Sequence, residues 1–203
     1  MKTMRSILAL VLAALLLGAC GPKVKLAHLD KGATVLAFGD SLTFGTGAAQ
    51  GEAYPAQLAR LSGLNVVNAG VPGEVSAEGL ERLPDAIADS SPKLLILCHG
   101  GNDFLQKKDE RVAASNIRRM IQLAKAQNIA VVLLATPKPG IPPSVPKFYA
   151  EIAEQEHIPF EDSVLRDVLF DNSLKSDMVH PNARGYLKIA EALAKVLKKA
   201  GAI

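Results

Sequence analysis

Ser41, Asp177 and His180 are the side chains whose types could together do chemistry. A serine hydroxyl is a weak nucleophile until a base takes its proton. His180 supplies such a base. Asp177, three residues earlier, can hold the other imidazole nitrogen and fix the tautomer. Acyl transfer also needs hydrogen-bond donors where charge develops on the carbonyl oxygen. The expected donors are the backbone N–H of Ser41, the backbone N–H of Gly70 and the side-chain amide of Asn102. Glycine at 70 leaves the backbone bare, so a substrate could approach it closely. No cofactor is expected for this chemistry. No metal is expected either, because one His and one Asp do not make three ligands and the chain has no Cys/His cluster.

These residues can act only if the fold brings them to one place. Short apolar runs alternate with helical patterns along the chain. Strands are expected over 33–38, 64–68, 94–98 and 129–135, with a short fifth at Pro159-Phe160. Helices are expected over 54–61, 74–89 (interrupted or bent at Pro84), 111–127 and 145–156. A last helix carries Tyr186, Ile189, Ala190, Leu193, Val196 and Leu197 on one face and Lys188, Glu191, Lys195 and Lys199 on the other. Pro181 suits its first position. The segment 137–146 holds five prolines and must be an irregular loop. Apolar strands separated by helices imply an α/β fold with a parallel sheet covered on both faces. In such sheets ligands bind beyond the carboxyl ends of the strands. The first strand runs into Gly39-Asp40-Ser41-Leu42, the second into Asn68-Ala69-Gly70, and the third into Gly100-Gly101-Asn102-Asp103. Asp177-Met178-Val179-His180-Pro181 follows in a late loop.

Taken in order, these four segments resemble the four blocks of the GDSL/SGNH hydrolase family: Ser in GDSL, Gly in NAG, Asn in GGND, and Asp and His in D-x-x-H-P. Gly-Asp-Ser-Leu alone recurs by chance, whereas all four in order are specific. The pattern differs from the G-x-S-x-G elbow of α/β-hydrolases, because Thr43 stands where the second Gly would be. Asn68-Ala69-Gly70-Val71-Pro72-Gly73-Glu74, followed by Gly79-Leu80, is similar to the exported thioesterase, lysophospholipase and arylesterase branch. The resemblance implies a three-layer α/β/α sandwich with a five-stranded parallel sheet. It also implies hydrolysis of short to medium acyl esters and thioesters. An O-acetylesterase acting on peptidoglycan or surface polysaccharide is the alternative, and a non-catalytic envelope lipoprotein is a more distant one. His99 departs from the family pattern, since an apolar residue is expected before GGND. It is expected to line the pocket or to cap the strand. Asp40 is expected to serve its turn, Asp103 to anchor its loop by accepting N–H groups, and Cys98 to be a buried thiol.

Composition narrows the partners. The 203 residues are 49% hydrophobic and 21% charged, an ordinary globular balance. The net charge is +3, and without Lys2 and Arg5 the balance is 21 basic to 20 acidic residues. No basic stripe supports nucleic-acid binding. Gly45-Thr46-Gly47-Ala48-Ala49-Gln50-Gly51 has one residue too many for a dinucleotide fingerprint. The N-terminus carries a different message. Lys2 and Arg5 precede an eleven-residue apolar run, Ile7 to Leu17, too short to span a bilayer. It leads into Leu17-Gly18-Ala19-Cys20, which resembles a bacterial lipobox. The expected organisation is a signal peptide over 1–19, a lipidated tether over 20–32 beginning at an acylated Cys20, and one hydrolase domain over 33–203. Gly21, rather than Asp, after the cysteine suggests the outer membrane of a bacterial envelope. The expected partners are a small acyl-ester or lipid substrate and the membrane holding the anchor.

Overall fold

In the computed structural model, which describes residues 24–203, strand β1 (Thr34–Gly39) lies between β2 (Asn65–Gly70) and β3 (Leu94–Cys98). Beyond β3 follow β4 (Ala130–Leu134) and the short β5 (Phe160–Glu161). The five strands form one parallel sheet in the order β2-β1-β3-β4-β5. The α/β architecture implied by the sequence is therefore present. The expected signal peptide over 1–19 and the expected acylation site Cys20 lie outside the described residues.

The helices are α1 (Ser41–Phe44), α2 (Tyr54–Ser62), α3 (Ser76–Ser90), α4 (Gly101–Leu105), α5 (Glu110–Ala126), α6 (Phe148–Gln155), α7 (Val164–Phe170) and α8 (Ala183–Ala200). Strand side chains alternate between the sheet's faces, so the core divides into two layers. Val35, Ala37, Leu94 and Ile96 pack with Tyr54 and Leu58 of α2 and with Tyr186, Ile189, Leu193 and Leu197 of α8. Leu36, Phe38, Leu95 and Leu97 pack on the other side with Leu83 and Ile87 of α3 and with Ile117, Met120 and Ile121 of α5. β1 and β3 are buried almost throughout, whereas the edge strand β2 is only half covered, which suits its two asparagines. None of the helices among the described residues is long and apolar enough to cross a membrane.

Several elements differ from expectation for local reasons. α3 runs on through Pro84, which lies on its exposed face, so the helix is neither interrupted nor shortened there. Pro181 is not the first residue of α8. Asn182 caps that helix, its Oδ1 accepting the Gly185 N–H at 3.1 Å, and Pro181 bridges to Lys175 instead. α1, α4 and α7 are too short to show a helical period in the sequence. Of the segment expected as a tether over 20–32, the part from residue 24 onward lies against the domain. Leu26 N–H donates to the Ala200 carbonyl at 2.9 Å, Leu29 N–H donates to that of Ala202 at 2.8 Å, and Leu29 joins the core.

This topology dictates where a site can form. From β1 the chain steps to one side to make β2, then crosses to the other to make β3. The loops leaving β1 and β3 therefore diverge and leave a crevice between them. Ser41 and Asn102 stand in the short helices α1 and α4 that open those two connections.

Candidate active site

Ser41 is the first residue of α1, directly beyond the β1 terminus. Asp40 caps that turn: its Oδ1 accepts the Leu42 N–H at 3.0 Å, which leaves the neighbouring Ser41 side chain free to face the crevice. Burial pushes the Asp40 carboxyl above its ordinary value. Gly39 is required here because a Cβ would sit 2.0 Å from the Cys98 carbonyl oxygen. The far end of the loop is also held. Tyr186 of α8 donates to the Thr46 carbonyl at 2.8 Å, and Thr43 Oγ1 lies 3.1 Å from the Tyr54 hydroxyl.

The sequence-expected triad is assembled. Ser41 Oγ is 3.1 Å from His180 Nε2, and His180 Nδ1 is 2.8 Å from Asp177 Oδ2. The D-x-x-H spacing is explained by the other carboxylate oxygen. Asp177 Oδ1 accepts the backbone N–H groups of Val179 at 2.8 Å and His180 at 2.9 Å, folding the turn that carries the imidazole. Burial alone would raise the Asp177 carboxyl. The backbone N–H of Val179 and the His180 ring outweigh it and hold the carboxyl below the usual range. It therefore stays ionised, its charge available to an imidazolium. The hydrogen-bond pattern places the proton on Nδ1 and leaves Nε2 free to accept from the serine.

The three expected oxyanion donors fare differently. The Ser41 and Asn102 positions line one cavity of about 550 Å³ with His180. Asn102 Nδ2 donates to the Glu74 carbonyl at 2.9 Å and makes a long contact of 3.4 Å to Asp40 Oδ2. Gly70 does not line this cavity. Its N–H donates to Asn68 Oδ1 at 3.0 Å, and a Cβ there would lie 2.1 Å from the backbone nitrogen of Phe44. Glycine is needed at 70 so that α1 can lie against β2, not so that a substrate can approach. Gly73 is the glycine at the cavity. It lines the wall beside Asn102, has φ +84°, and has open space where a Cβ would be. Its N–H has no acceptor among the described residues. The sequence held a signal for it, since Gly73 lies in the same quoted segment as Gly70. Choosing between the two requires the path of the loop after β2.

His99, expected to line the pocket or cap the strand, does not line the cavity; it stands at the end of β3, where its Nδ1 accepts the Gly100 N–H at 3.2 Å. It is fully buried, and its Nε2 lies 3.0 Å from Glu74 Oε2. Asp103 anchors its loop as expected, accepting from the N–H of Ser76 at 2.8 Å and from its hydroxyl at 2.7 Å. Cys98 is buried, and that burial pushes its thiol far above the ordinary value, so it is inert as a nucleophile. Among the described residues no three His, Cys, Asp or Glu side chains gather as a metal site would require.

The rest of the cavity is largely apolar. Leu42, Leu105, Ile141, Met178 and Val179 line it together with prolines of the 137–146 loop. Ile141 and Met178 stand at its mouth, 99% and 88% exposed. The arrangement presents a serine with its base at the foot of a greasy wall.

Comparison with known proteins gives the family of the chain. The model of the GDSL-like lipase/acylhydrolase family matches residues 37–188. The esterase TesA of Pseudomonas aeruginosa is 30% identical, over 91% of this chain and 98% of its own length. Thioesterase 1/protease 1/lysophospholipase L1 of Escherichia coli strain K12 is 29% identical, over 81% of this chain and 83% of its own. A crystal structure of TesA superposes with a TM-score of 0.72 at 28% identity, covering 82% of this chain and 99% of that one.

Proposed function

The chain belongs to the GDSL-like lipase/acylhydrolase family and is a carboxylic-ester hydrolase acting on small acyl esters, and from that premise we propose how it works and on what. Ser41 Oγ attacks the ester carbonyl while His180 Nε2 takes the hydroxyl proton. Asp177 stabilises the imidazolium so formed. The N–H groups of Ser41 and Gly73 and the amide of Asn102 receive the developing oxyanion. Asn102 turns toward it by giving up the long contact to Asp40 Oδ2. The imidazolium protonates the leaving group, and an acyl-enzyme remains on Ser41. Water, deprotonated by His180, releases the acid. The observation that carries this reading is the 3.1 Å contact between Ser41 Oγ and His180 Nε2, with Asp177 behind the ring at 2.8 Å.

The substrates proposed are acyl esters and thioesters of short to medium chain. The apolar lining and the volume of about 550 Å³ support an acyl tail along Leu105, Ile141 and Met178. Each methylene buried there adds about 0.8 kcal/mol. The test is a series of p-nitrophenyl esters of increasing acyl length. The expected kcat/KM maximum falls at roughly six to twelve carbons, the range suited to an apolar pocket. A maximum at acetate would instead support the O-acetylesterase alternative, which the relatives above do not favour. Lipid anchoring through Cys20 completes the proposal. It rests on the apolar run and the Leu17-Gly18-Ala19-Cys20 sequence, and it would hold the enzyme at a bacterial envelope membrane.

A further inference from the structure

Directly behind the proposed oxyanion loops is a charged cluster, buried at Glu74 and His99 and partly exposed at Arg82, that the mechanism above does not use. Glu74 is 6% exposed, and its carboxylate receives three hydrogen bonds. Arg82 Nε and Nη2 donate to it at 2.7 and 2.8 Å, and His99 Nε2 donates at 3.0 Å. The His99 tautomer follows from its other nitrogen. Nδ1 accepts the Gly100 N–H at 3.2 Å, so the ring proton sits on Nε2 and points at Glu74. Arg82 also donates to the Ala69 carbonyl at 3.0 Å and lies 4.2 Å over the Phe38 ring. The cluster thus ties together the carboxyl ends of β1, β2 and β3. Gly79 accommodates it: a Cβ there would lie 2.3 Å from His99 Nε2.

The backbone around this cluster is the backbone of the oxyanion hole. Glu74 follows Gly73 directly, and its own carbonyl accepts the Asn102 amide at 2.9 Å. His99 precedes Gly100-Gly101-Asn102, and its carbonyl is itself held by the Tyr149 hydroxyl at 2.7 Å. The two donors outside the Ser41 loop therefore come from different strands, and the Glu74–His99 contact joins those strands at the level of the donors. An apolar pair would fill the same space without burying charge. We propose that Glu74, His99 and Arg82 are positioning residues that set the separation and aim of the Gly73 and Asn102 donors. The proposal rests on the reading of those two as oxyanion donors.

A merely structural cluster would affect folding, whereas a positioning cluster couples to Asn102 in the transition state. The test measures kcat and KM on a p-nitrophenyl ester for wild type, His99→Leu, Asn102→Ala and the double variant, with urea unfolding of each. His99→Leu is expected to lower kcat by about 10- to 100-fold, a part of the roughly 10²- to 10³-fold cost of losing an oxyanion donor outright. KM should stay within about threefold, because the donors act on the transition state. In the Asn102→Ala background the same change should cost several-fold less than in the wild type, since one of the two donors it positions is gone and only the Gly73 N–H is left to misalign. His99→Gln, which can still donate to Glu74, should recover most of the loss. Equal factors in the two backgrounds, or reduced unfolding stability with kcat intact, would overturn the positioning role. If His99→Leu does not fold, Arg82→Lys, which keeps the charge and loses the paired donors, replaces it in the same cycle. Ser41→Ala in parallel keeps the two readings distinguishable: residual full activity there defeats the mechanism itself, while additivity defeats only the cluster's role.

Discussion

Asp177 accepts three hydrogen bonds from the few residues that follow it, so a single carboxylate both builds the His180 turn and orients the ring. That economy is why the grouping of Asp177 and His180 with Ser41 is legible from residue type and spacing. Residue spacing did not reveal Glu74, whose partners Arg82 and His99 lie on other segments. In the sequence His99 stands out only as a departure from a pattern, and its ring faces Glu74 rather than the cavity. Glu74 makes an acid-stability prediction. Burial pulls its carboxyl up, but the hydrogen bonds from Arg82 and His99 outweigh burial and hold it down from 4.5 to about 2. The folded state thus favours the carboxylate. Its contribution is complete above the unfolded value of 4.5 and is lost as pH falls through that value to about 2. The gap corresponds to at most about 3 kcal/mol, reduced by solvent screening through the partly exposed Arg82. Urea unfolding of wild type and Glu74→Gln should show a stability difference of that order near neutral pH. The difference should shrink as pH drops through this window, and one independent of pH would contradict the assignment.

At the scale of elements, the alternation of apolar runs and helical periods was enough to give a parallel sheet. The divergence of the loops after β1 and β3 then placed the crevice. Elements shorter than two turns stayed hidden, because α1, α4 and α7 present no period to detect. Two of them carry site residues: Ser41 opens α1 and Asn102 lies in α4. The Gly70 assignment failed for the same reason. Without α1 in view, a glycine at the end of β2 looked like a substrate contact when it is a packing contact. Gly70→Ala should therefore destabilise the fold by about 1–3 kcal/mol or more, because its Cβ would meet the Phe44 backbone at 2.1 Å. Thermal and urea unfolding check this. Unchanged stability with lost activity would restore Gly70 to the oxyanion hole.

For the whole molecule, the domain presents the mouth of the Ser41 cavity with Ile141 and Met178 projecting from two separate loops. The residues before 24 bear on where that mouth works. If Cys20 carries the anchor, Cys20→Ser expressed in a bacterial host should move from the membrane fraction to the soluble fraction while esterase activity per molecule stays the same. Retention in the membrane would count against lipidation at that residue. The claim on which everything else depends is that Ser41 is the nucleophile. Labelling by a fluorophosphonate probe, followed by peptide mapping in wild type and Ser41→Ala, tests it most directly. The account predicts one adduct on Ser41 in wild type, with no labelling and no ester hydrolysis in the variant. An adduct on another residue, or full activity in Ser41→Ala, would contradict it.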